Sequence, residues 1–162
     1  MAHEALTTYL NDHLAGAAAA LQLLDQLTDA SETAEEKQFF TALHADISED
    51  RDVLENLLRQ AGGQPSGLRQ VGGWVAAKVG QLKLAIDNPA RGTLDRLQAL
   101  EVLALGIQGK VALWRALRAA GPGLPEVREL DLDRLERRAL DQHDRVETRR
   151  VTAAKRALQA ES

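Results

Sequence analysis

Residues 62–92, GGQPSGLRQVGGWVAAKVGQLKLAIDNPARG, decide how this chain is put together. The stretch opens on a Gly-Gly pair and closes on Asn88-Pro89. Between them Leu68, Val71, Val75, Val79, Leu82 and Ile86 fall at helical intervals. A helix of about 18 residues covers roughly 27 Å at 1.5 Å per residue, most of the length of a helical bundle. A crossover helix over about 67–86 is therefore expected, and its neighbours say what it connects.

Upstream, Leu6, Leu10, Ala17, Leu21 and Leu24 recur at steps of three, four and seven, with Leu14 and Leu27 widening the stripe. This predicts a helix over about 5–28. Thr33 and Glu36 fit a capping box for a second helix over about 33–61, which buries Phe40, Leu43, Ile47, Leu54 and Leu57 and stops at Gly62-Gly63. The short link between them makes an antiparallel hairpin. Downstream, a third helix over about 93–120 is apolar almost all round, from Leu94 to Leu117, so it must be covered on more than one side. Asp131 is the N-cap candidate for a fourth helix over about 131–160, with a thinner stripe of Leu132, Leu135, Ala139, Val146, Ala153 and Ala157. The third and fourth helices form a second antiparallel hairpin. Two hairpins joined by a long crossover make a ferritin-like four-helix bundle, whereas an up-down-up-down bundle needs only short turns. The expected fold is all-α, one domain spanning 1–162, with the second and third helices parallel.

Composition agrees. Ala and Leu number 27 each, against 20 Val, Ile and Thr together and five aromatics, which favours helices over sheet. There is no Cys, which removes disulfide and thiol chemistry and is compatible with a cytoplasmic location. No apolar run approaches the roughly 20 residues of a membrane span, and no basic-then-apolar leader opens the chain. Residues 1–60 carry 3 basic and 12 acidic residues, a balance of −9, while 61–162 carry 17 and 12, a balance of +5. The basic half is mixed and poor in aromatics, so neither nucleic acid nor membrane is expected as a partner. The asymmetry suits attraction between two halves of one molecule, or between two copies in a homodimer.

The segments YLNDHLAGAAAALQLLDQL (9–27) and LEVLALGIQGKVALW (100–114), with the order of helices, resemble a bacterial branch of the ferritin-like superfamily. The resemblance spans nearly the whole chain and rests on helical packing patterns. It implies a bundle interior in which members with known chemistry hold two iron or manganese ions and oxidise iron or substrates with oxygen or peroxide.

Polar residues set into apolar stripes are the candidate site. His13 continues Leu6 and Leu10; Asp50 continues Leu43 and Ile47; Glu101 and Gln108 interrupt the third helix, as does Lys110; Glu136, His143 and Glu147 lie near one face of the fourth. If the second and third helices are parallel, His13, Asp50, Gln108 and His143 fall within about one turn of the same height. In one reading a metal sits among His13, Asp50, Glu101, His143 and Glu147. In the other, the buried groups hydrogen-bond across the bundle and fix helix register. The superfamily's sites need two Glu-x-x-His pairs, whereas Leu10, Thr41 and Leu140 stand three before His13, His44 and His143. The structural layer is preferred, and no cofactor is expected, iron or manganese being the alternative.

Other signals yield to plainer readings. Arg134, Arg138, Arg145 and Arg149 alternate with acids and read as a salt-bridged face, and Trp74 and Trp114 as packing. The functional expectation is a non-catalytic or ligand-binding ferritin-like bundle with an incomplete metal site. The alternatives are a divergent metal-dependent oxidoreductase or iron-binding protein, and a homodimeric interaction module pairing through the apolar third helix.

Overall fold

The computed structural model describes residues 2–66 and 92–159. Four long helices carry them: α1 (Ala2–Asp29), α2 (Ala34–Gln60), α3 (Gly92–Ala120) and α4 (Leu132–Gln159), with two short 3-10 turns between α3 and α4. The described residues contain no strand. The expected boundaries agree with these to within three residues, and the end of the third helix at Ala120 is unchanged. The crossover helix expected over about 67–86 lies outside the described residues.

Local chemistry sets the helix ends. Glu36 N–H donates to Thr33 Oγ1 at 3.2 Å, and the Glu36 carboxylate reaches back to accept from Glu32 N–H, one residue earlier than the usual capping box. The Asp131 side chain accepts from Arg134 N–H at 3.0 Å and caps α4. At the end of α2, Gly62 takes φ +77°; its N–H donates to Arg59 O while Gly63 N–H donates to Leu58 O. This Schellman ending satisfies two carbonyls that the helix leaves open. Just beyond it, Ser66 N–H and Oγ–H donate to Asn11 Oδ1, which fastens the departing chain to α1.

The ion pairs report helix directions. Glu36 pairs with Arg96 and Asp50 with Lys110, so α2 and α3 keep one offset of 60 residues and run parallel. Between α3 and α4 the pairing moves from Glu101–Arg150 to Arg115–Glu136, one number rising by 14 as the other falls by 14, so these two are antiparallel. One apolar cluster joins Leu6, Leu10 and Leu14 to Leu54, Leu57, Leu58, Trp114 and Ala139. The other joins Leu23, Leu24 and Leu27 to Phe40, Leu43, Leu100, Leu103 and Val146. α1 therefore runs antiparallel to both α2 and α3. The chain leaves α2 beside the start of α1 and re-enters at Gly92 beside the end of α1.

The charge asymmetry is used within one chain. Acids of α2 face arginines of α4: Asp46 meets Arg138 and Arg145, Glu49 meets Arg138, and Glu35 meets Arg149. Arg149 also lies 4.1 Å above the centre of the Phe39 ring. The third helix is covered less completely than its composition suggested. Leu97, Leu100, Leu103, Ile107, Val111, Leu113, Trp114 and Leu117 are buried, but Leu105 is 63% exposed and Leu94 42%.

Because only glycine holds the left-handed conformation of residue 62 without strain, Gly62→Ala should lower stability by about 1–2 kcal/mol. Equilibrium urea unfolding with an unchanged m-value would check this.

Candidate functional site

Asp50 lies on the inward stripe of α2 and is only 3% exposed. A lone buried carboxylate is costly, and its partners come from two other helices. Lys110 of α3 brings its ammonium to 2.5 Å from Asp50 Oδ2 and also donates to Gln142 Oε1 of α4. The Gln142 amide in turn donates to Asp50 Oδ2 at 3.1 Å, and Arg138 Nε stands 3.5 Å from Asp50 Oδ1. The result is a closed polar triangle across three helices, set between the two apolar clusters. Burial pushes the Lys110 ammonium below the usual lysine range, and the Asp50 charge pulls part of the way back.

Beside this triangle α1, α2 and α3 leave a cavity of about 210 Å³. Its walls are Ala17, Ala20, Ile47, Leu54, Ile107 and Leu113, with Asp50 and Lys110 among its polar lining. Gly16, Gly106 and Gly109 contribute no side chains, and a Cβ built on any of them meets nothing within 4 Å. Gly16 and Gly106 are exposed and Gly109 is half-buried, so the absence of side chains at them leaves the cavity open on that side. Asp12 and Gly16 are exposed at its rim. His13 lines it half-buried, its ring edge-on to Tyr9 at 4.7 Å. Burial lowers the His13 imidazole from its ordinary value, opposed by the nearby Asp12 charge.

The sequence-derived site residues part company here. Asp50 is in the interior, as expected. His143 is not bonded to it; the imidazole sits half-buried on the flank of α4, with Nδ1 3.7 Å from Asp144. Gln108, expected as a partner, is exposed. Glu101 and Glu147 lie together on a different face, where both pair with Arg150, and this holds the Glu147 carboxyl below the usual carboxylate range. Glu136 is clasped by Arg115 and Arg118. His44 pairs with Asp25 at 3.3 Å. Among the described residues no three His, Asp or Glu side chains come together as a metal ion requires. The one carboxylate of the layer is already neutralised by a lysine, and that donor set does not suit a di-metal centre.

Two members of the triangle do not stand out in the sequence as site residues. Gln142 continues Leu135 and Ala139 at a step of three and leads to Val146 at a step of four, so the signal is present one position before His143. Lys110 shows only as a charge in an apolar helix, a pattern that long side chains usually resolve by reaching for solvent. The chain matches no protein-family model, and no curated protein or solved structure is significantly similar to it.

Removing one partner of a buried pair strands the other. Asp50→Ala should therefore cost about 3–5 kcal/mol, while Asp50→Leu with Lys110→Met and Gln142→Met, which removes the whole triangle and strands no amide, should stay within about 1–2 kcal/mol of the parent. Urea unfolding of the three proteins would check the contrast. His13 gives a second expectation. Its folded value lies below its unfolded one, so the unfolded chain binds the proton first as pH falls. Stability is thus complete above about pH 6.5 and declines below it, as pH falls toward the lower folded value. Melting curves between pH 7 and 4.5 should show this acid loss in wild type and a flatter profile in His13→Gln.

Proposed function

We propose that this chain is a non-catalytic, ferritin-like bundle that binds a small apolar molecule in the cavity between α1, α2 and α3. The carrying observation is that cavity: about 210 Å³, walled by aliphatic side chains, with three glycines opening it. An apolar cavity of about 150 Å³ already takes up benzene, so this one has room for a single ring with a short substituent. Parallel α2 and α3, each in an antiparallel hairpin, support the ferritin-like arrangement, as does a link that must join opposite ends of the bundle. In place of metal ligands the interior carries the Asp50–Lys110–Gln142 triangle, which gives the site a fixed polar end.

Gly109 supplies the test. Leucine there has open space for its side chain and a better helix propensity than glycine, by about 0.8 kcal/mol, so Gly109→Leu should fold at least as well as the parent. Benzene or indole should raise the wild-type melting temperature, since a native-state ligand at a hundredfold excess over Kd adds about 2.7 kcal/mol. The same probes should leave Gly109→Leu unmoved. Equal shifts in both proteins, or none in wild type, would overturn the proposal.

A further inference from the structure

Resting on that reading, we infer the chemical class of the ligand: a neutral molecule with an apolar body and one hydrogen-bond acceptor, such as a ketone, ester or amide carbonyl, received by Lys110. An ammonium carries three N–H donors. Those of Lys110 go to Asp50 Oδ2 and to Gln142 Oε1, and the third has no partner among the described residues. The side chain is 12% exposed and lines the cavity. A buried charged donor left without an acceptor is costly, and a ligand acceptor placed there removes that cost.

Charge selects for a neutral ligand. Asp50 and Lys110 cancel one another, so the polar end offers no net charge for an ion to offset. The lining sets Asp12 and Asp50 against Arg51 and Lys110, so neither an anion nor a cation finds an excess of opposite charge there. Burial shifts His13 toward its neutral form, against the pull of Asp12, so it adds a polar group that calls for no ligand charge. The aliphatic walls and limited volume exclude a large polar ligand.

A matched pair of probes separates this inference from the cavity reading beneath it. Acetophenone and ethylbenzene share a ring and a two-carbon tail and differ by the carbonyl oxygen; benzoate adds a charge. By calorimetry on the full chain, acetophenone should bind at least about tenfold more tightly than ethylbenzene, the difference a charged hydrogen bond makes, and benzoate more weakly than either. In Asp50→Leu with Lys110→Met and Gln142→Met the preference for acetophenone should vanish while ethylbenzene still binds. The infrared carbonyl stretch of acetophenone bound to wild type needs no variant and should move to lower frequency than in a hydrocarbon solvent, as an ammonium donor requires. Equal affinity for the two neutral probes, or an unshifted stretch, overturns the carbonyl inference and leaves the cavity reading standing. Binding of neither probe overturns both.

Discussion

A single carboxylate placed among leucines organises the centre of this bundle. Asp50 lies between the two apolar clusters, where an unpaired charge would be costly to bury, so every helix that approaches it must bring a donor or stay apolar. α3 brings Lys110 and α4 brings Gln142, while Arg138 covers the second carboxylate oxygen from the side. These partners sit at single positions on helices that would otherwise slide past one another on smooth leucine surfaces. The triangle therefore works as a register mark: a shift of one turn in α3 or α4 would leave Asp50 buried and alone. Apolar burial supplies the stability, and the polar triangle chooses which apolar arrangement is used.

The same layer explains why there is space beside it. The Lys110 stem crosses from α3 to Asp50 at that height. Gly16, Gly106 and Gly109 bring no side chains to fill the gap. Below it Trp114 and the leucines around it are buried, and above it so are Phe40 and Leu43. The cavity lies at the level of the Asp50–Lys110–Gln142 triangle, so an apolar wall and a charged donor meet there.

Much of this architecture is legible from residue order alone. Thr33, Asp131 and Gly62-Gly63 act at helix ends through their own backbone neighbours, so local sequence is enough to read them. Asp50 is legible because a charge in an unbroken apolar stripe is carried into the core with its neighbours and must find a partner there. Its partners are harder. Positions 142 and 143 differ by about 100° around α4, and on a helix whose stripe is thin and rich in alanine the pattern fixes the inward direction poorly. Histidine draws the eye because it is a versatile ligand, yet the plainer glutamine occupies the inward position. Lys110 is visible as an anomaly, but which way a long side chain bends is decided by a partner 60 residues away. The wrongly grouped Glu101 and Glu147 show the same limit: each is explained by Arg150, whose reach no spacing rule encodes.

The facing of α2 by α4 has a consequence for how the molecule breathes. This seam is stitched by arginine–carboxylate pairs, several with partners well exposed to solvent, such as Glu49 and Glu35. Exposed pairs of this kind contribute little each and are weakened by salt. The α1–α2 and α3–α4 hairpins, by contrast, are each held by a short connection and shared aliphatic packing. The outer margin of the α2–α4 seam is therefore its salt-sensitive part, while the buried Asp50–Gln142 contact and the apolar clusters shared by all four helices hold its inner side. Ionic strength thus bears on how firmly the outer arginines and carboxylates of this seam hold one another, and far less on the buried layer beneath them.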